Sequence, residues 1–132
     1  MVHIALVGAG NLGKAILKYE MLDRFGFRIE NIFDNNPKVI GKVISGCEVL
    51  DISRVKDVIK DKNIEISIIA VPPGSTQKVV KVLVNAGIKV IINYTSVPIK
   101  TPSKVKIVTT DPIEKLLHTL YYLSHTGYAE YK

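Results

Sequence analysis

The chain has 132 residues and a formal net charge of +6 at pH 7; its lysines are dispersed and form no block, which points to a solvated surface with a mild attraction for anions and does not indicate nucleic acid. A chain of this length buries roughly two-thirds of the surface its unfolded form exposes, so one core without staples suffices. Its one cysteine, Cys47, has no disulfide or C-x-x-C partner, and there is neither a membrane-length apolar run nor a charged-then-apolar leader, which reads as a soluble cytoplasmic protein with no membrane association and no metal centre.

In chain order, residues 3–8 (HIALVG) predict a strand, and beyond the glycines Leu12, Ala15, Ile16, Tyr19 and Leu22 recur at helical spacing. Residues 27–34 (FRIENIFD) predict a second strand, closed by the turn-forming DNNP. Residues 47–51 predict a short third strand, and a helix over about 52–62 places Val55, Val58 and Ile59 on one side. The β-branched run at 64–73 (IEISIIAVPP) predicts a strand stopped by two prolines, which cannot continue a ladder. A helix over 75–86, strands at 89–96 and 104–110, a terminal helix over about 111–123 and a tail of 124–132 follow. Strands alternating with helices, the central ones apolar on both faces, imply an α/β fold: one domain over residues 1–132, built as a doubly wound, mainly parallel sheet in three layers.

Within that frame the run GAGNLG, from Gly8 to Gly13, has G-x-G-x-x-G spacing directly after the first strand and at the start of the first helix. Gly8 permits a tight turn, Gly10 lets a pyrophosphate approach the backbone, and Gly13 lets helix and strand pack closely. Unpaired N–H groups and the helix dipole then stabilise a diphosphate without any lysine. Asp34 ends the second strand, 21 residues after Gly13. A carboxylate there accepts from both hydroxyls of an adenosine ribose and repels a 2'-phosphate, which favours NAD(H) over NADP(H); the competing role is to cap the DNNP turn, and Lys38 is a weak counter-signal.

A dehydrogenase also needs an acid or base beside the nicotinamide and a substrate pocket. His3 opens the first strand, far from the expected crevice, His118 and His125 lie on or after the terminal helix, and the nucleotide-binding sheet uses the whole chain. No catalytic residue is assigned. The terminal helix carries a wide apolar stripe of Ile113, Leu116, Leu117, Leu120, Tyr121 and Leu123, which must be covered either by its own sheet or by a second copy in a symmetric or helix-exchanged dimer.

The runs HIALVGAGNLGKAI, FGFRIENIFDNNPKVIG, IEISIIAVP, VNAGIKVIINYTSVPI and VTTDPIEKLLHTLYYL together resemble the NAD(H)-binding, CoA-binding-like Rossmann domain of the Rex family of redox-sensing transcriptional repressors. The resemblance covers nearly the whole chain in order; a more distant one is to the CoA-binding domain of the succinyl-CoA synthetase alpha subunit. The Rex resemblance implies a homodimer that exchanges its terminal helix, an N-terminal winged helix that binds the operator, and release of DNA by NADH; it implies a sensor and not an enzyme. It assigns Gly8, Ala9, Gly10, Asn11, Leu12 and Gly13 to the pyrophosphate turn, Asp34 to the adenosine ribose, and Ala70, Val71 and Pro72 with Asn93 and Tyr94 to the inner part of the site. Tyr19 and Asp111 match the pair that couples cofactor state to domain arrangement.

This sequence opens at the Rossmann strand, which predicts no operator recognition by these residues alone and leaves room for a full-length Rex-type partner. Ser96 stands where the family commonly has proline, and Pro112 where it has a bulky residue near the partner's nicotinamide; proline fills that place less well, though it suits the first turn of a helix capped by Asp111, so the residues support dinucleotide binding more strongly than nicotinamide sensing. A carboxylate about 6 Å from the ring at an effective dielectric of ~20 favours the charged oxidised form by roughly 3 kcal/mol, about a hundredfold. A sensor of NADH must therefore keep Asp111 occupied or distant, and Tyr19 is the candidate donor. The competing function is a small NAD-dependent oxidoreductase or a CoA-binding subunit that borrows catalytic residues from another chain.

Overall fold

The computed structural model describes residues 2–18, 21–95, 97–110 and 120. Its strands are β1 (Val2–Val7), β2 (Phe27–Asp34), β3 (Val43–Ile44), β4 (Cys47–Asp51), β5 (Ile66–Ile69), β6 (Val90–Asn93) and β7 (Lys106–Thr109). Its helices are α1 (Asn11–Leu17), α2 (Met21–Arg24), α3 (Val55–Lys62) and α4 (Thr76–Asn85). The strands form a single sheet in the order β3-β4-β2-β1-β5-β6-β7, parallel throughout except for β3. The order in which strands are added reverses at β1: β2 and β4 build outward on one side, β5, β6 and β7 on the other. The carboxyl ends of β1 and β5 therefore flank a topological switch point, the place where open α/β sheets leave a crevice.

Two apolar clusters sandwich the sheet and give the three layers. On one face Val55, Val58 and Ile59 of α3 and Val80 and Leu83 of α4 bury against Ala5, Val7, Phe33, Ile69 and Ile91. On the other, Ile16 and Leu17 of α1 and Leu22 of α2 pack on Ile4, Leu6, Ile29, Ile32 and Ile68. A β-bulge lets β2 serve both: Ile4 pairs with Ile29 but Ala5 with Asn31, so Glu30 is the extra residue. The alternation resets there, which turns Ile29 and Ile32 to one face and leaves Phe33 on the other. Glu30 is displaced to the surface, 2.8 Å from His3 Nδ1 and 4.0 Å from Lys62 Nζ.

The structure departs from the sequence expectations at element ends. α1 ends at Leu17, short of the helix expected to run on through Leu22, and Leu22 belongs to α2. The strand expected over 64–73 is shorter, Ile66–Ile69; the Ala70 N–H still bonds the Val7 carbonyl at 2.8 Å, and Val71 and Pro72 then leave the ladder at the rim of the crevice. The hairpin of β3 and β4 was not foreseen; its two-residue turn, Ser45 and Gly46, has φ of 48° and 82°, the primed turn that matches strand twist. Tyr19, Ser96, Asp111, Pro112, His118, His125, the terminal helix of 111–123 and the tail of 124–132 lie outside the described residues apart from Leu120. Among the described residues no helix is long and apolar enough to cross a membrane, and no cluster of three or more His, Cys, Asp or Glu could hold a metal.

The loop between β6 and β7 is tied to α4 by a two-way amide clasp. Gln77 Nε2 donates to the Lys100 carbonyl at 3.1 Å while its Oε1 accepts from the Lys100 N–H at 3.1 Å. Gln77→Ala removes both bonds, so amide exchange at Lys100 is expected to accelerate about tenfold in hydrogen-exchange mass spectrometry, with little change in the protection of β1 and β5.

Candidate functional site

The crevice at the switch point is a cleft of about 670 Å³, within the range of small-molecule sites. One wall is the turn from β1 into α1, where Gly8 has φ +115°. A Cβ on Gly8 would collide with the Ala70 carbonyl oxygen, and one on Gly13 with the Gly8 carbonyl oxygen. Both glycines are thus demanded by the packing of the fold: β1, β5 and α1 approach more closely than any side chain permits. Gly10 differs. Its φ is −79° and a Cβ there would meet nothing within 4 Å, so neither backbone conformation nor protein packing requires glycine. The space it leaves open faces the cleft, as a cradle for a group lying against the main chain would.

Asp34 closes the same turn from β2. Its Oδ2 accepts the Ala9 N–H at 2.8 Å and its Oδ1 accepts the Asn36 N–H at 2.9 Å. Of the two roles weighed from the sequence, the structure shows the cap, since the carboxylate holds the Asn36 N–H of the DNNP turn; the same side chain also lines the cleft. Each oxygen keeps a lone pair for a further donor, such as a sugar hydroxyl. No side chain caps α1, so its first N–H groups are left to solvent or a ligand. Beyond Asp34 the wall becomes apolar, with Val39, Ile52, Val79 and Val82. The cleft thus combines open main chain, one carboxylate and an apolar slot, the chemistry that a phosphate, a ribose and an adenine ring each require.

Of the residues assigned from the sequence, Gly8, Ala9, Gly10, Asp34, Ala70, Val71 and Pro72 line this cleft together. Asn11 and Leu12 open α1 beside it, Leu12 being 39% exposed, and Gly13 is buried beneath the turn. Asn93 and Tyr94 are placed elsewhere. The fully buried Asn93 side chain accepts from the Thr95 N–H (2.9 Å) and Oγ1 (2.7 Å) and donates to the Val97 carbonyl (2.9 Å), stapling the loop after β6. Tyr94 lines an apolar hollow on the opposite face of the sheet, with Ile16, Leu22 and Ile92. Tyr19 and Asp111 lie outside the described residues. Cys47 donates weakly to the Ile29 carbonyl at 3.5 Å. Burial, with Glu30 adding and Lys62 opposing, pushes its thiol above the usual value, the reverse of an activated nucleophile.

Sequence reasoning did not assign the α4 wall. Ser75, Lys78, Val79 and Val82 face the cleft at i, i+3, i+4 and i+7, a stripe visible in the sequence but indistinguishable there from an ordinary core face.

Residues 1–97 match the CoA binding domain family. The chain belongs to that family. Along nearly all of its length it is also homologous to Rex repressors: a redox-sensing transcriptional repressor Rex from Rubrobacter xylanophilus is 43% identical over 122 residues, 92% of this chain and 56% of that protein. The Rex-family repressor RSP in complex with β-NADH has the same fold, with a TM-score of 0.87 at 32% identity, covering 100% of this chain and 65% of that one. RSP in complex with β-NAD+ and operator DNA gives a TM-score of 0.86 at 33% identity, covering 98% of this chain and 60% of that one. The chain spans less than two-thirds of the length of each of these relatives.

The three glycines should separate in a substitution series. Gly8→Ala and Gly13→Ala are each expected to lose more than about 2 kcal/mol of stability in urea denaturation, and Gly10→Ala to stay within about 0.5 kcal/mol of the wild type.

Proposed function

We propose that these residues form the NAD(H)-binding sensor module of a Rex-type redox-sensing transcriptional repressor, one that responds to the NADH to NAD ratio in the cytoplasm. The observation that carries this reading is Gly10: an open cradle in the main chain, required by nothing in the protein, beside a carboxylate already oriented by two N–H donors. In this arrangement Gly8, Ala9 and Gly10 receive the diphosphate, Asp34 the adenosine ribose, and Val39, Ile52, Val79 and Val82 the adenine. Ala70 to Pro72 then border the nicotinamide half. When bound, the nicotinamide supplies the redox state that is sensed, as a ring charged in one form and neutral in the other. An apolar surround penalises the charged form through desolvation, and Tyr19 and Asp111 are the residues proposed to convert that difference into domain movement.

The reading as a regulator and not an enzyme rests on the Rex homology. It extends to a homodimer through the terminal helix. The hollow lined by Ile16, Leu22, Ile68, Ile92 and Tyr94, about 640 Å³ on the face opposite the cleft, is an apolar seat of the kind such a helix needs. Operator recognition is left to a winged helix, whether in the same polypeptide or in a full-length Rex-type partner.

Calorimetry with NADH, NAD, NADPH and CoA tests the proposal. NADH is expected to bind most tightly, Gly10→Ala and Asp34→Ala each to weaken it about tenfold or more, and Asp34→Ala to shrink the gap between NADH and NADPH. Preferential binding of CoA, or turnover of NADH with any small carbonyl substrate, would overturn it. Light scattering is expected to give the mass of a dimer.

A further inference from the structure

We propose that Lys78 is a ligand residue of the cleft, supplying the ammonium group that meets the diphosphate of the bound dinucleotide; this deepens the NAD(H) reading and rests on it. Among the described residues that line the cleft, Asp34 and Lys78 are the charged ones, and they stand on opposite walls, one at the end of β2 and the other on α4. Asp34 is anchored at the ribose end by the Ala9 and Asn36 N–H groups. A diphosphate reaching Gly8 to Gly10 must pass close to that carboxylate, so its charge is opposed by the residue that grips the neighbouring sugar. Main-chain dipoles offset part of this repulsion; a cation across the cleft offsets the rest.

The position of Lys78 suits that task. The cleft-facing stripe of α4 runs from Ser75 through Lys78 and Val79 to Val82, and α4 follows directly on Pro72 and Gly74 at the rim beside Gly8. Val82 lies at the apolar end of the stripe, and Lys78 one turn nearer the glycine turn. Its side chain is exposed and makes no ion pair among the described residues, so its amine is available to a ligand. Lys81 lies on the same helix but lines a different groove, with Val84, Pro98 and Lys100. The two lysines share a helix and a charge and differ in the surface they face.

Titration of the wild type, Lys78→Gln, Lys78→Arg and Lys81→Gln with adenosine (by NMR) and with ADP, ADP-ribose, NADH and NADPH (by calorimetry) tests the assignment. Lys78→Gln is expected to weaken ADP, ADP-ribose and NADH by about three- to tenfold and to leave adenosine unchanged. Lys78→Arg should recover most of the loss and Lys81→Gln should show none. The difference between wild type and Lys78→Gln should shrink as salt rises. An equal loss for adenosine, which would place the amine on the base, overturns the proposal. So does a loss confined to NADPH, an equal loss in Lys81→Gln, or no loss at all. A wild type that binds neither NADH nor ADP-ribose overturns the NAD(H) reading itself, whereas a wild type that binds both as tightly as Lys78→Gln does overturns only the role of Lys78.

Discussion

The close approach of three backbone segments governs this molecule. Gly8 lies against the Ala70 carbonyl and Gly13 against the Gly8 carbonyl, so β1, the first turn of α1 and the end of β5 meet with no side chain between them. The contact is continued by hydrogen bonds from the Gly8 N–H to the Phe33 carbonyl and from the Ala70 N–H to the Val7 carbonyl, each at 2.8 Å. It draws the ends of the three central strands into one rim. Were the turn filled by side chains, α1 would be pushed off the sheet and the crevice would lose its floor.

On that floor a single carboxylate ties two turns together and is the acceptor proposed for the ribose. Asp34 holds the glycine turn through Ala9 and its own turn through Asn36, so its orientation is set before any ligand arrives. A preorganised acceptor loses less freedom on binding than a mobile one. The sheet separates the remaining tasks by face. The crest at the strand ends sets open main chain and one carboxylate beside an apolar slot, whereas the far side offers a hollow lined by apolar side chains and Tyr94.

Much of the site was legible in the linear order of residues because its parts are local. The glycine spacing, the strand before it and the helix after it form one continuous stretch, and Asp34 ends the next strand at the distance that a single crossover imposes. The inner rim at Ala70 to Pro72 was legible for the same reason, since the prolines mark where the ladder stops. Asn93 and Tyr94 were not separable in this way. They are neighbours in sequence at the end of a strand, and strand alternation sends them to different environments, one into a hydrogen-bonded staple and the other to the opposite face. The α4 wall was likewise hidden, because a helical stripe records that something is covered and not what covers it.

The amino-acid sequence by itself determined the alternating α/β order, the three-layer sheet, the glycine turn after the first strand and the acidic residue beside it, since each follows from periodicity or from a spacing within one crossover. Only the tertiary structure decided that Gly8 and Gly13 serve packing while Gly10 serves the cleft, that β2 carries a bulge at Glu30, and that Lys78 and not Lys81 faces the site. Those distinctions depend on which atoms from distant segments come within a few ångströms of one another, and a linear pattern does not encode such distances.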